Sequence, residues 1–337
     1  MTPPKPVIVR LHEMTSGQHG DFFVLMEERS RGLTRDGKPF YTCRFRDAER
    51  TVTFMVWSDS HWFQEAEAEW RENQFYKIRG FYNEHKTYGP QIDVQNIRPV
   101  NEDDVADGFN PRDFVEASRF DPSEMFADLR QIAEEQITNE GLQNLVMTIL
   151  DRHADAIKTM PATDRRHYPF HGGLLEHTLS VTRNCLVLVD RYTKLYPELQ
   201  PPLNADLVVA AAILHDIGRV QEFDDNVVTF DRTVPGRMLG HLYLGRDLIR
   251  DTARELGDID PGLLQLLEHL IITHLSFNES NFSRLATIPE SLILHHADEL
   301  DAKMEMYVRC LTRDHEDGPF TARDPMFGRR LLKDREV

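Results

Sequence analysis

Up to about residue 100 several stretches alternate apolar and polar side chains with period two, and beyond about residue 122 the apolar spacing becomes helical. The first pattern predicts strands at 6–11, 20–27, 39–46, 50–57, 74–82 and 91–99. In 50–57, Val52, Phe54 and Val56 share one face. In 39–46, Tyr41, Cys43 and Phe45 share one face, and Thr42, Arg44 and Arg46 the other. The run Thr34-Arg35-Asp36-Gly37-Lys38 carries the Asp-Gly signal of a hairpin. A short helix at 61–72 falls between the fourth and fifth strands. A small closed sheet with one helix ahead of its last strands has the plan of an OB-fold.

Residues 101–121 are acidic, contain Pro and Gly and lack periodicity, which reads as a linker. Helices are then predicted at 122–136, 140–160, 173–196, 236–256, 261–275 and 289–313. Another begins after Asn204, a plausible N-cap, and ends near Gly218. It holds the unbroken apolar run 207–214, which leads into His215 and Asp216. Burying ionisable groups is costly unless they are paired or ligated. Residues 316–337, with Pro319, Pro325 and many charges, read as a loosely docked tail. The fold class expected is therefore multidomain, a small all-β barrel over 1–100 followed by an all-α bundle over 122–315.

Composition supports a soluble globular protein, 40% hydrophobic and 28% charged. No window suggests a membrane span, and the N-terminal residues lack the apolar core of a signal peptide. Cys43, Cys185 and Cys310 are odd in number and far apart, as expected of reduced thiols in a cytoplasmic protein. The net charge of −17 is uneven. Residues 1–100 hold 14 basic and 14 acidic side chains, so the excess acid lies in 101–337, with 25 basic against 42 acidic. Bulk charge gives nucleic-acid binding no support, and any such contact must come from a local patch. One exists between Arg29 and Arg50, with seven basic residues against three acidic. Phe40, Tyr41, Trp57, Tyr76 and Tyr82 lie in or near the same strands. Barrel core accounts for most of these aromatics, and a solvated strand face would account for Arg44 and Arg46. Taken together, the pattern suits single-strand binding by stacking and phosphate contacts, with Arg44, Arg46 and Trp57 as candidates.

The helical half supplies the chemistry. Of 15 histidines, 8 fall between His171 and His296. His177, His215, Asp216, His241, His274 and Asp298 each stand among apolar neighbours on predicted helices. Imidazole and carboxylate together suit borderline divalent metals such as Mn, Fe, Co, Ni or Zn. A lone histidine on an apolar face is usually a satisfied core residue, and His269, His295 and His296 are read that way. The His-Asp doublet in series with the other four positions favours ligands.

These motifs, GGLLEHTLSV, ILHDIGRV and LILHHADELDAKM, make the stretch from about 165 to 312 resemble the HD-domain metal-dependent phosphohydrolases. With the barrel ahead of it, the whole chain resembles the YhaM-type 3′→5′ exoribonucleases. The resemblance implies that His177, His215, Asp216 and Asp298 hold one ion. Asp216 would be shared with a second, held also by His241 and His274. Manganese is the metal the resemblance favours, with Mg among the alternatives. It also implies phosphate contacts from Arg219 and Lys303, and a substrate contact from His167. Three departures bear on substrate choice. Arg219 replaces the lysine that usually follows the HD turn, His274-Leu275-Ser276 stands for His-His-Gly, and Phe282-Ser283-Arg284-Leu285 stands for a Gly-Ser-Pro segment.

The expectation is thus a hydrolytic exoribonuclease that takes single-stranded RNA, or single-stranded DNA, from the 3′ end and releases nucleoside 5′-monophosphates by metal-activated water. Two alternatives stay open. One is an HD phosphohydrolase of a small nucleotide, such as a cyclic nucleotide, dNTP or alarmone. The other is a non-catalytic RNA-binding protein with a vestigial HD domain. A membrane partner is not expected, and a homo-oligomer is compatible with the sequence.

Overall fold

A computed structural model describes residues 8–85, 89–224, 230–275, 286–314, 316–324 and 326–333. The described residues divide into two compact units, one up to residue 116 and one from residue 117 onward.

The first unit is a closed five-stranded barrel of β1 (His19–Leu33), β2 (Pro39–Arg46), β3 (Thr51–Trp57), β4 (Phe75–His85) and β5 (Gly89–Pro99). Its order is β1-β2-β3-β5-β4, closing back on β1. All neighbours are antiparallel except β3 and β5, which run parallel. This is the OB-fold that the alternation predicted. The Asp-Gly turn closes β1 onto β2, with Gly37 at φ +76° and its N–H donating to Thr34 O at 3.0 Å. The inward faces of β2 and β3 are those expected: Tyr41, Cys43, Phe45, Val52, Phe54 and Val56 are buried in one cluster.

Three expectations in this unit need correction. The strand at 6–11 is reduced, among the described residues, to a single bridge at Ile8, and Leu11–Glu13 turns into a 3-10 helix. The helix expected at 61–72 covers only α1 (Phe63–Ala68). Residues 101–116 fold as part of the unit, with 3-10 turns at Glu102–Val105 and Pro111–Phe114. The cause lies in β1, whose Phe22, Phe23, Val24, Leu25 and Met26 are apolar on both faces. Phe23 and Leu25 point away from the barrel core and are covered by Phe109 and Phe114. Asp104 is buried against Lys77 (3.1 Å) and Arg98 (2.6 Å). Burial raises its pKa, yet Arg98 and the other donors outweigh burial and hold it below the ordinary carboxylate value.

The second unit is helical: α2 (Pro122–Gln136), α3 (Glu140–Arg152), α4 (Ala154–Thr159), α5 (Gly173–Leu195), α6 (Ala205–Leu214), α7 (Arg219–Glu222), α8 (Val234–Met238), α9 (Gly240–Leu256), α10 (Pro261–Thr273) and α11 (Pro289–Arg313). The helix expected over 140–160 breaks at His153, and the one over 236–256 breaks before Gly240, which has φ +72°. Asp121 and Asn139 cap α2 and α3 by accepting from backbone N–H groups of their first turns. Asn204 caps α6, its side chain accepting from Leu207 N at 3.0 Å.

Helix α6 is apolar all round, as a helix buried on every side must be. Residues 207–214 are each 3% exposed or less. Helices α2, α3, α5, α10 and α11 pack around it. Each large side chain so buried contributes about 1.5–3 kcal/mol relative to exposure. The C-terminal residues are docked rather than loose: Thr321 N–H donates to Leu331 O, and Thr321 and Leu331 are buried. Among the described residues no helix is long and apolar enough to cross a membrane. All three cysteines are free thiols.

Candidate metal centre

Two helices of the second unit end in a histidine. His215 terminates α6 and His274 terminates α10. Each folds its Nδ1 back onto a carbonyl three residues earlier, Ala212 O and Ile271 O, both at 2.8 Å. A carbonyl only accepts, so Nδ1 carries the proton and Nε2 keeps its lone pair. Burial pushes the His215 pKa down, and burial with the nearby His215 pushes that of His274 down to about 4. Both rings are therefore neutral and present a bare nitrogen, the form that ligates metals.

Helix α5 contributes His177, α11 contributes Asp298, and α9 contributes His241. The approach of α9 depends on Gly218: a Cβ there would lie 2.0 Å from His241 O and 2.6 Å from Gly245 N. Only a bare backbone lets His241 come alongside Asp216.

The six residues fall into two sets whose ligand atoms lie within 4.8 Å of one another, His177–His215–Asp298 and Asp216–His241–His274. A third grouping, His167–His177–Asp216, joins them. In the first set His177 Nε2 lies 3.1 Å from Asp298 Oδ1 and 3.3 Å from His215 Nε2. In the second, Asp216 Oδ1 lies 3.1 Å from His241 Nε2 and 3.9 Å from His274 Nε2.

The second set fits a cation on direct grounds. Asp216 Oδ1, His241 Nε2 and His274 Nε2 are all buried, and none has a hydrogen-bond partner. An unsatisfied buried polar group costs about 1–3 kcal/mol. Three such atoms converging on one point make a donor set of the kind that borderline divalent metals take. The first set is more compact and its atoms are in mutual contact. Burial opposes charging His177, but Asp298 and Asp301 raise its pKa to about 10. Asp298 and Asp216 stay ionised despite burial, Asp298 through His177 and Asp216 through Arg219 and the histidines around it.

Other candidates are placed differently. His167 lies near the centre, its ring centroid 4.9 Å from that of His177. Burial and His177 push its pKa down to about 3, so it is neutral. Arg219 is buried, with Nε 3.3 Å from Asp216 Oδ2 and Nη1 2.6 Å from Glu222 Oε2. It holds Asp216 by one oxygen and Glu222 by another of its nitrogens. Lys303 lies on the exposed side of α11 and donates to Glu299 at 2.6 Å. Its five-residue offset from Asp298 puts it on a different side of α11 from that residue. His295 donates to His274 O at 2.5 Å and so braces a candidate ligand. Of the altered segment, 276–285 lies outside the described residues.

In the barrel, Trp57 is 47% exposed and stands against Phe40, ring centroids 5.2 Å apart. Arg44 is exposed but paired with Glu27 and Glu28 at 3.3 and 3.5 Å. Arg46 donates to the Phe114 carbonyl and so ties down residues 101–116.

Asp301 and Glu222 escaped the sequence reading. Asp301 Oδ2 accepts from His177 Nδ1 at 2.8 Å, and its other oxygen accepts from Ser180 Oγ. Its three-residue spacing from Asp298 on one helix was the available signal. Glu222 lies 3.5 Å from His241 Nδ1, and nothing in its sequence context marks it.

Comparison with known proteins agrees with this geometry. A family model described as HD domain matches residues 174–303, and one described as a putative helicase matches 123–222. The chain is 30% identical over 315 residues to the 3′-5′ exoribonuclease YhaM of Bacillus subtilis, covering 94% of each. Among solved structures, the second OB-fold domain of replication protein A from Methanococcus maripaludis is similar at 14% identity, covering 28% of this chain and 96% of that one. Its TM-score is 0.22, and the barrel assignment rests on strand pairing instead. With both units and nearly the full length matched, the chain belongs to the YhaM-type 3′→5′ exoribonuclease family, an OB-fold barrel followed by a hydrolase domain of the metal-dependent HD kind.

Proposed function

We propose that the protein is a metal-dependent 3′→5′ exoribonuclease that shortens single-stranded RNA and releases nucleoside 5′-monophosphates. The observation that carries this reading is the trio of unpartnered buried atoms, Asp216 Oδ1, His241 Nε2 and His274 Nε2. In this reading His177, His215 and Asp298 hold one divalent ion, manganese being favoured, and Asp216, His241 and His274 hold a second. Asp216 would serve both, a reading supported by its grouping with His177 as well. When bound, such ions supply Lewis-acid charge at the scissile phosphate and make water a stronger nucleophile near neutral pH.

The protein's own residues set the stage. Arg219 engages Asp216 Oδ2 and leaves Oδ1 facing the histidines. The main-chain carbonyls of Ala212 and Ile271 fix the tautomers of His215 and His274. His167, being neutral, meets the substrate as a hydrogen-bonding group and not as a cation. On the barrel, Trp57 and Phe40 offer an aromatic ledge on the outer face of β2 and β3, where bases stack in OB-folds. Arg44 adds local positive charge, tempered by Glu27 and Glu28.

The test is incubation of 5′-labelled single-stranded RNA with Mn²⁺, with and without EDTA, beside a panel of cyclic nucleotides, dNTPs and alarmones. A ladder that shortens from the 3′ end and vanishes with EDTA is expected. Turnover of the panel alone would instead make it a small-nucleotide phosphohydrolase. RNA binding with no turnover of either would make it a scaffold.

A further inference from the structure

Each candidate ligand set contains one imidazole backed by a main-chain carbonyl and one backed by a buried carboxylate. His215 and His274 rest on Ala212 O and Ile271 O, both at 2.8 Å. These two supports are alike. The carboxylate supports differ. Asp301 lies 2.8 Å from His177 Nδ1, and its second oxygen takes the Ser180 hydroxyl. Among the described residues no arginine or lysine forms an ion pair with Asp301. Glu222 lies farther from its imidazole, 3.5 Å from His241 Nδ1. Its charge is also divided, with Arg219 Nη1 at 2.6 Å and Arg232 Nη1 at 3.6 Å.

A carboxylate behind a ligating imidazole does two things. It fixes which nitrogen carries the proton, and it makes the other a better donor. Both effects weaken when the carboxylate is distant and its charge is already met by guanidinium groups. We infer that the two sets hold their ions unequally, the His177–His215–Asp298 set more tightly, with Asp301 as the positioning residue that makes it so. This rests on the reading that both sets bind metal.

The experiment is equilibrium dialysis of the full chain against Mn²⁺ alone, with far-UV circular dichroism on every variant. Wild type should show two classes of site. His274→Ala should remove the weaker class and leave the tighter. Asp301→Ala should weaken the tighter class by about 10- to 100-fold, the range typical of such outer partners. Asp301→Asn keeps an oxygen acceptor without the charge and should fall between Asp301→Ala and wild type. Glu222→Gln should weaken the other class by less than the Asp301→Ala change. Two classes of equal affinity, or Asp301→Ala binding the tighter ion like wild type with its fold intact, would overturn the inference alone. No Mn²⁺ on the wild type would overturn the metal-dependent function itself. Should Asp301→Ala be insoluble, Asp301→Asn beside His274→Ala decides the matter.

Discussion

In the barrel, two buried carboxylates are closed off by cations. Asp21 meets Arg79 at 2.6 Å, and Asp104 meets Arg98 and Lys77 at 2.6 and 3.1 Å. In the helical unit Asp216 also has an arginine, but on one oxygen only, and its other oxygen stands without a hydrogen bond beside two histidine nitrogens in the same state. A completed pair holds the chain in place and has nothing left to offer a ligand. A half-completed one keeps a binding capacity at the expense of apo stability.

That contrast can be broken in several places. The largest effect is expected from Asp216→Ala, which removes a carboxylate that groups with His241 and His274 and also with His167 and His177. We predict a loss of RNA hydrolysis of more than about 100-fold, beyond what outer partners usually give. Binding of single-stranded RNA, read by fluorescence anisotropy, should persist. Loss of binding with cleavage of short substrates intact would contradict the division of labour. On the barrel side, Asp104→Ala should destabilise that unit by about 2–3 kcal/mol in urea titration. A fully buried broken pair costs about 3–5 kcal/mol, but Arg98 is partly exposed and solvates once freed. The same pair has a pH signature. The folded pKa of Asp104 lies below its ordinary 3.8, so its contribution is complete above that value and is lost as pH falls below it. Barrel stability that does not decline below about pH 4 would count against the pairing.

Smaller effects sharpen the comparison. Trp57→Ala should weaken RNA binding by about 1–2 kcal/mol, within the range for a lost stacking partner, and leave cleavage of very short oligonucleotides unchanged. Unchanged affinity would remove the ledge from the reading. Lys303→Ala should alter stability by less than about 0.5 kcal/mol, as expected of an exposed pair, and leave turnover as it was. A marked fall in turnover would restore the phosphate contact that its position on α11 now argues against.

The sequence made visible whatever depends on local periodicity. Alternation in 39–46 and 50–57 located β2 and β3 and their inward faces, and the apolar run 207–214 located α6 and the residues at its end. Three-dimensional cover was not visible. Residues 101–116 look like a linker because Phe109 and Phe114 follow no period; they are placed by the outer side of β1, far away in the chain. The same limit explains Arg219 and Lys303. Charge and position after a motif mark both as candidate phosphate contacts; packing adds that Arg219 is enclosed between Asp216 and Glu222 and that Lys303 faces solvent. Asp301 lies within the motif LILHHADELDAKM, but its partner, the second nitrogen of His177, is 124 positions earlier in the chain, so no local pattern reveals it.

Gly218 gives the centre a length standard. Because the backbones of α9 and the turn after α6 meet there without a side chain between them, the separation of His241 from Asp216 is set by main-chain contact, not by side chains that could adjust. A methyl group at 218 would leave every candidate ligand in the sequence and still move one of them. The candidate centre is therefore open to loss by a change of spacing as well as by a change of chemistry, and a chain could keep all six candidate positions while losing the approach that unites them.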